Sequence, residues 1–293
     1  MVLRNVLKIL PMRRFRDPPP TVGVVRMAGI LTPGGRSLRR GGLNLEGMAR
    51  TLERAFKLPN AQAVALVINS PGGSPVQSSL IAKRVRTLAE EKDIPVYAFT
   101  EDVAASGGYW LACAADEIYA DEASVVGSIG VISASFGFQD LIARHGIERR
   151  LHTTGDRKTL LDPFEAEKPA DVQRLESVQR DILDAFKAQV TARRGDRILL
   201  SEAELFSGEF WTGKQALAHG LIDGIGDLRA VMRDKLGERV KLVPVGERRP
   251  WLGRRFGFGT GGNHYDLTAL SSGLVEAAVD AIDERAIWKQ FGL

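Results

Sequence analysis

The chain has 293 residues, of which 44% are hydrophobic and 26% are charged, and its formal net charge is +4. These values are ordinary for a globular protein that buries a full core, in one large domain or two small ones. The positive charge is concentrated near one end, since residues 1–40 hold nine Arg and Lys residues and a single acidic residue. A nucleic-acid-binding face needs basic residues on a folded surface, so this distribution argues against nucleic acid as a partner.

The single cysteine, Cys113, excludes an intramolecular disulfide. It lies in a stretch of small apolar residues without an adjacent basic residue, which predicts a buried structural thiol and not a catalytic one. No stretch of the sequence approaches the roughly 20 consecutive apolar residues of a membrane-spanning helix. The N-terminal apolar run is interrupted by Arg4 and Lys8 and lacks a small-residue cleavage site, so it does not match a signal peptide.

Residues 1–16 have the pattern of a basic amphipathic helix, with Val2, Leu3 and Val6 near one face and the basic residues off it. Such a helix can lie on an anionic membrane, while the alternative is a terminal arm that frays or packs on a partner. The sequence therefore predicts a protein that is cytoplasmic or peripheral on the inner membrane.

The first half of the chain alternates between strand and helix patterns after the Pro18–Pro20 break. The predicted strands cover residues 22–30, 63–68, 95–100 and 117–120, and the predicted helices cover 45–58, 76–91 and a segment that starts at Ser106. The run at 63–68 is continuously apolar, which is typical of a strand covered on both faces. This order predicts an α/β fold with a largely parallel sheet.

The second half holds a long amphipathic pattern and several short elements. Strands are predicted at 130–138, 148–152 and 241–245, and helices at 139–145, 170–194, 201–206, 212–219, 228–236 and 274–288. No internal repeat is found. We therefore expect an N-terminal arm over residues 1–21, a core over 22–245 and a C-terminal tail with a helix over 246–293.

The first stretch that suggests chemistry is Asn-Ser-Pro-Gly-Gly at residues 69–73, between a predicted strand and a helix. Glycine permits positive φ angles and close approach of a ligand, and free N–H groups near a helix N-terminus can stabilise an oxyanion. The alternative is an ordinary tight turn. Gly72 and Gly73 are therefore candidate oxyanion residues.

The second stretch is Ala-Ser-Gly-Gly-Tyr at residues 105–109. A serine at a strand-to-helix junction between small residues is accessible to a substrate and can also contribute to an oxyanion site. The alternative for Ser106 is an ordinary helix N-cap. Gly107, which follows it, is a third candidate oxyanion residue.

The third stretch, Gly-Asp-Arg-Lys at residues 155–158, offers a base for the serine, because a neutral lysine can replace histidine. A lysine base must lose its charge near neutral pH, which requires burial or a nearby cation. The alternatives are that Lys158 is a solvated loop residue, or that His152 is the base. The four histidines lack metal-ligand spacing and no phosphate-binding loop is present, so no metal or cofactor is expected.

Together these stretches resemble the signal peptide peptidase A (protease IV) family of serine-lysine peptidases. The resemblance extends over about residues 22–245 and includes Asp-Pro-Phe at 162–164, after Lys158. The other matching segments are Gly-Ser-Ile-Gly-Val at 127–131, Phe-Trp-Thr-Gly-Lys-Gln-Ala at 210–216 and Gly-Leu-Ile-Asp-Gly-Ile-Gly at 220–226.

The resemblance implies a Clp protease/crotonase-like α/β fold with parallel sheets and flanking helices. It also implies a serine endopeptidase with Ser106 as nucleophile, Lys158 as base and Ser128 as the serine that orients the lysine. Its substrates would be hydrophobic peptides, such as signal-peptide remnants or membrane-derived segments. The resemblance further implies a homo-oligomer, with an octamer as the expected size, whose neighbouring subunits supply the lysine and the serine.

Two alternatives remain open on the sequence alone. A crotonase-like acyl-CoA enzyme would share the fold and bind coenzyme A without needing Lys158. A non-catalytic scaffold of the same fold would keep its function after Ser106 is replaced. A Clp-type histidine base is not favoured, because residues 107–144 contain no histidine.

Overall fold

The computed structural model describes residues 18–33, 42–155, 157–246 and 285–292. The predicted amphipathic helix at 1–16 lies outside the described residues, as does most of the C-terminal tail, of which residues 285–289 are helical. The chain forms two compact units. The first unit contains residues 1–129 and 189–293, and the second contains residues 130–188.

The first unit begins with three repeats of a strand followed by a helix. These elements are β1 (Thr21–Ala28), α1 (Leu45–Phe56), β2 (Ala61–Ser70), α2 (Pro75–Lys92), β3 (Val96–Ala105) and α3 (Gly107–Ala112). Two short strands follow, β4 (Glu117–Ala120) and β5 (Val125–Gly127). Local capping explains the helix starts, since Asn44 and Ser74 each accept a hydrogen bond from a backbone N–H in the first turn.

The second unit holds α4 (Gln139–Arg144) and most of α5 (Pro169–Arg194), and the end of α5 belongs to the first unit. The first unit is completed by short elements after this helix. They are α6 (Glu202–Leu205), β6 (Phe210–Thr212), α7 (Gly213–Ala218), β7 (Gly224–Ile225), α8 (Leu228–Leu236) and β8 (Lys241–Pro244). Capping boxes at Ser201 and Thr212 fix the starts of α6 and α7.

The eight strands among the described residues form one sheet in the order β6-β5-β3-β2-β1-β8, with β4 paired to β3 and β7 paired to β4. The pairing of β5 with β6 is antiparallel and all other strand pairings are parallel. The predicted α/β class with a largely parallel sheet and flanking helices is confirmed.

The centre of the sheet is covered on both faces. On β2, the consecutive side chains from Ala63 to Ile68 are all buried. One face packs on Met232 of α8 through Val22, Ala63, Ala65 and Phe99. Because both faces are apolar, the strand reads as a continuous hydrophobic run, as parallel strands do.

Two predicted strands are wrong, and three short strands were not predicted. Residues 130–138 and 148–152 form no strand, because they pair with no strand of the described chain and their apolar side chains, such as Ile132, are exposed. An apolar run alone therefore did not identify a strand there. The sequence also missed β5, β6 and β7, which have two or three residues each and are too short to show periodicity.

A buried ionic network joins the end of α5 to the sheet. The Arg194 guanidinium donates to the Asp223 carboxylate at 2.6 Å, and Arg197 donates to the other oxygen at 2.8 Å. Asp223 also accepts the Ile118 N–H at 2.7 Å, which fixes the start of β4. Burial opposes ionisation of Asp223, but these donors outweigh it and hold the pKa of Asp223 below its ordinary value.

We predict that Asp223→Asn lowers the free energy of unfolding at pH 7 by about 3 kcal/mol, because it leaves the buried Arg194 without its anion. The control is Glu101→Gln, which breaks the exposed Arg26–Glu101 pair and should cost less than about 1 kcal/mol. Denaturant unfolding measures both. The deficit of Asp223→Asn should begin to shrink below about pH 4, where the carboxylate of the unfolded chain binds a proton, and should disappear once the folded carboxylate, whose pKa is lower, is protonated as well. Equal losses in the two variants would contradict this account.

Candidate active site

The candidate site of the first unit lies at the edge of the sheet where β2, β3 and β5 end. The register pairs Ser70 with Ala104, and Ala105 with Gly127. Because these strands are parallel, the residues that follow them emerge at the same edge. The register therefore brings the loop at 71–73, Ser106 and Ser128 together, although they are far apart in sequence.

Ser106 has a strained backbone at the junction of β3 and α3. Its φ of 50° and ψ of −121° are unusual for a residue with a side chain. The Ser106 N–H donates to the Gly127 carbonyl at 2.8 Å, which fixes this turn against β5. Ser106 occupies the N-cap position of α3, but its side chain makes no capping hydrogen bond, and the residue is half-buried. A strained turn between a strand and a helix is also the backbone geometry of a nucleophile elbow.

Gly72 lies directly against the serine. Its φ is +107°, and a Cβ at this position would lie 2.8 Å from the Ser106 Cβ and 2.8 Å from the Gly107 nitrogen. No larger residue fits without a shift of the turn. Gly73 has a φ of +128°, and a Cβ there would lie 2.2 Å from the Leu31 carbonyl oxygen. Both glycines are therefore required by the packing, beyond what a simple tight turn would need.

The sequence did not identify Leu31 and Ser70 as parts of this edge. The Leu31 N–H donates to the Gly72 carbonyl at 2.7 Å, and the Ser74 N–H donates to the Leu31 carbonyl at 2.7 Å. The buried Ser70 hydroxyl accepts the Gly72 N–H at 3.3 Å. These bonds hold the glycine loop in place. Leu31 has no motif of its own, whereas Ser70 lies inside the quoted stretch and could have been considered.

Gly107 is the first residue of α3, so its N–H belongs to the set that has no partner within the helix. A Cβ on Gly107 would lie 2.5 Å from the Ser78 hydroxyl and 2.9 Å from Leu31, so α3 is tightly packed against the glycine loop. The three predicted oxyanion glycines therefore lie within one cluster with Ser106.

Ser128 lies one residue beyond β5 and also has a positive φ, of 52°. Its N–H donates to the Glu209 carbonyl at 2.7 Å, which connects it to the segment before β6. The neighbouring Gly127 has no room for a side chain, since a Cβ would lie 2.7 Å from the Trp211 ring. The Ser128 side chain is half-buried at the same sheet edge as Ser106.

Lys158 lies in the second unit, in a turn closed by its N–H donating to the Gly155 carbonyl at 3.2 Å. The residue is exposed, so the burial that a lysine base requires is not supplied by its own unit. It lines a cavity of about 530 Å³ within this unit, together with Arg149, His152 and Asp162. His152, the alternative base, is exposed as well.

Two other types of chemistry receive no support from the described residues. Burial raises the pKa of the Cys113 thiol to about 12, so little of the reactive thiolate forms at neutral pH. Within residues 18–33, 42–155, 157–246 and 285–292, no group of three His, Cys, Asp or Glu side chains is placed to hold a metal ion. Cys113 is fully buried, as predicted from its apolar surroundings.

The family model for peptidase family S49 matches residues 89–242, which include Ser106, Ser128 and Lys158. The chain belongs to peptidase family S49. This membership agrees with the resemblance to signal peptide peptidase A and favours a peptidase over an acyl-CoA enzyme. The assignment rests on more than half of the chain.

Among named relatives, the serine protease SPPA of Arabidopsis thaliana chloroplasts is 34% identical over 63% of this chain and 28% of that protein. Protease 4 of Haemophilus influenzae is 31% identical over 71% of this chain and 33% of that protein. A Brucella abortus protein named Na(+)/H(+) antiporter NhaA is 46% identical over 99% of this chain. This chain spans 39% of that protein's length.

Among solved structures, a mutant of the 1510-N membrane-bound stomatin-specific protease in complex with a substrate peptide matches with a TM-score of 0.45 and 15% identity. The match covers 78% of this chain and 93% of that chain.

Among the residues that the structure describes here, no helix is long and apolar enough to span a membrane.

We predict that Gly72→Ala abolishes peptide hydrolysis, because the added methyl group would displace Ser106 or Gly107. The matched control is Gly29→Ala. Gly29 has a similar φ of +105°, but a Cβ there meets no atom within 4 Å. The control should lose about 1 kcal/mol of stability from backbone strain alone and keep its turnover. Hydrolysis of a fluorogenic peptide and thermal unfolding test both variants. Comparable turnover in the two would show that Gly72 does not position the serine.

Proposed function

We propose that this chain is a serine endopeptidase in which Ser106 is the nucleophile and Lys158 is the general base. The observation that carries the proposal is the strained turn at Ser106, which leaves the hydroxyl uncapped among three tightly packed glycines. Membership of peptidase family S49 supports the same activity.

In the proposed reaction, the neutral Lys158 amine takes the proton of the Ser106 hydroxyl as its oxygen attacks the scissile carbonyl. The tetrahedral intermediate collapses when the Lys158 ammonium gives that proton to the leaving amine. The Lys158 amine, neutral again, then takes a proton from a water molecule that attacks the acyl-enzyme, and it returns this proton to the Ser106 oxygen as the ester bond breaks. Every proton is therefore exchanged through one side chain.

Backbone N–H groups of Gly72, Gly73 and Gly107 are the proposed oxyanion donors, and the Gly72 N–H would exchange its 3.3 Å bond to the Ser70 hydroxyl for one to the oxyanion. Gly72 lies against Ser106, Gly73 follows it in the same loop, and Gly107 starts a helix whose first N–H groups point out of its N-terminus. Donors of this type stabilise the charge that develops on the carbonyl oxygen in the transition state. Because the glycines have no side chains, a substrate backbone can approach them closely.

Ser128 is proposed to orient the lysine. A serine hydroxyl can accept a hydrogen bond from an ammonium or amine N–H, and it adds no charge that would favour the protonated form. The strained backbone of Ser128 and its bond to Glu209 fix it at the sheet edge that carries Ser106. This position suits a group that receives the Lys158 amine in the assembled enzyme.

The proposed substrates are hydrophobic peptides, such as signal-peptide remnants or membrane-derived segments. The names of two relatives, a chloroplast serine protease SPPA and a protease 4, are consistent with peptide substrates. One observation on the chain supports it. Val76 and Leu80 lie in the first two turns of α2, directly after the glycine loop, and their side chains are exposed. They offer an apolar surface beside the proposed oxyanion residues.

The active form is proposed to be a homo-oligomer, with an octamer as the expected size, in which neighbouring subunits share sites. Two observations favour assembly. Lys158 is exposed in the single chain, although a lysine base needs a less polar environment. The second unit also exposes large apolar side chains, with Ile132 at 80% and Phe136 at 79% exposure, and such surfaces mark interaction sites.

Peripheral attachment to the inner membrane through residues 1–16 is proposed from the basic amphipathic pattern of that segment. The rest of the enzyme would then lie on the cytoplasmic side, near hydrophobic peptides released from the membrane.

The proposed dyad is tested by hydrolysis of a fluorogenic hydrophobic peptide. Ser106→Ala and Lys158→Ala should each lower kcat by at least about 1,000-fold. The reason is that the serine and the lysine act as a unit, so removal of either one costs about as much as removal of both. His152→Ala, the control in the same cavity, should retain wild-type turnover. Loss in His152→Ala with retention in Lys158→Ala would move the base to histidine. Full activity in Ser106→Ala would refute the proposed nucleophile.

Site sharing is tested by mixing. Ser106→Ala and Lys158→Ala proteins are each expected to be inactive, whereas mixed oligomers should regain part of the wild-type rate, since some sites combine an intact serine with an intact lysine. Native mass spectrometry verifies that subunits have mixed. Mixed oligomers without activity would contradict sharing between subunits.

A further inference from the structure

An ion pair in the second unit connects the segment before Lys158 to the segment after it. The Arg149 guanidinium donates through Nε at 2.9 Å and through Nη2 at 2.5 Å to one oxygen of the Asp162 carboxylate. The Asp162 side chain is only 4% exposed and that of Arg149 is 37% exposed. This pair differs from ordinary surface ion pairs, because loss of Arg149 would leave a nearly enclosed carboxylate without its cation.

Asp162 also organises the turn that follows the lysine. Its second carboxylate oxygen accepts the Phe164 N–H at 2.9 Å, and its own N–H donates to the Thr159 carbonyl at 3.3 Å. The hydrogen bond from the Phe164 N–H, and to a smaller extent the Arg149 guanidinium, hold the pKa of Asp162 below its ordinary value. The carboxylate is therefore ionised at neutral pH. The group is therefore a permanent anion within the turn.

Arg149 makes a second contact to the same turn. Its guanidinium carbon lies 5.0 Å from the centre of the Phe164 ring, within the range of a cation–π interaction. Phe164 in turn lies 5.7 Å from the Phe138 ring, and the Phe138 N–H donates to the Pro163 carbonyl at 2.6 Å. Arg149 and Phe138 thus hold residues 162–164 from two directions.

The lysine itself has no comparable anchor within the described contacts of its unit. Lys158 is exposed, and its described backbone hydrogen bond is the turn bond to Gly155. It is four residues from Asp162 and lines the same cavity as Arg149, Asp162 and Phe164. The position of the Lys158 backbone therefore depends on a turn whose far end is fixed by the ion pair.

We propose that Arg149 and Asp162 form a positioning pair that fixes the turn carrying Lys158, so that the lysine amine reaches the serine in a productive geometry. This inference rests on the proposed function of Lys158 as the base. Neither residue is proposed to touch the substrate. Because a displacement of about 1 Å can cost 100-fold in rate, loosening this turn should affect turnover more than substrate binding.

The test measures kcat and KM for Arg149→Gln, Asp162→Asn and the double variant on a fluorogenic hydrophobic peptide. Each single variant should lower kcat by about 10- to 100-fold, with little change in KM. The double variant should lose no more than the worse single variant, because both singles break the same pair. Arg149→Lys, which keeps the charge without the planar fork, should recover part of the lost kcat.

The matched control is Arg150→Gln at the next residue. Arg150 forms an ion pair of 2.8 Å with Glu148, but both side chains are at least 70% exposed. This variant should keep wild-type kcat. Thermal unfolding and native mass spectrometry, applied to all variants, identify any loss of fold or assembly. Arg149→Lys, the mildest change, provides the test if Asp162→Asn does not fold.

The outcomes separate the two claims. If Lys158→Ala retains wild-type activity, the proposed base is wrong. If Lys158→Ala is inactive while folded Asp162→Asn and Arg149→Gln match Arg150→Gln in kcat, the base stands and the positioning pair is refuted. Additive losses in the double variant, or equal effects on kcat and KM, would also refute the pair as the positioning element.

Discussion

The register between β2, β3 and β5 is the constraint on which the rest of the candidate site depends. Pairing of Ala105 with Gly127 and of Ser70 with Ala104 makes the three strands end together. The glycine loop then meets Ser106 so closely that a single methyl group on Gly72 does not fit. A shift of one residue would move Ser70, Ala105 and Gly127 out of line and separate these groups. The register of these three strands thus places the proposed nucleophile beside the glycine loop.

Much of this arrangement could be predicted from the sequence. The apolar run of β2 and the alternation of strands and helices gave the parallel α/β sheet, because these signals are long and local. The glycines of the site also carry a physical signal, since positive φ angles and close packing leave only glycine. Strands β5, β6 and β7 were missed, because two or three residues carry no period. Leu31 was missed because its role depends on backbone bonds to a distant loop.

The two residues of the proposed dyad are held in place by different interactions in the two units. In the first unit, Ser106 and its glycines are fixed by strand register and by tight packing. In the second unit, Lys158 is exposed and its turn is held by the Arg149–Asp162 pair. The sequence offered Lys158 as a candidate base and the resemblance favoured it over His152, whereas the ion pair became visible only from contacts between residues 13 positions apart. In the proposed oligomer, a neighbouring subunit would supply the burial that the base needs.

The central claim is that Ser106 is the nucleophile, and labelling with a fluorophosphonate tests it most directly. This reagent forms a covalent bond with activated serine hydroxyls, and peptide mapping by mass spectrometry identifies the modified residue in the assembled protein. We predict labelling of Ser106, whose side chain makes no capping hydrogen bond in the strained turn. Labelling of a different serine, or no labelling of an oligomer that hydrolyses peptides, would contradict it.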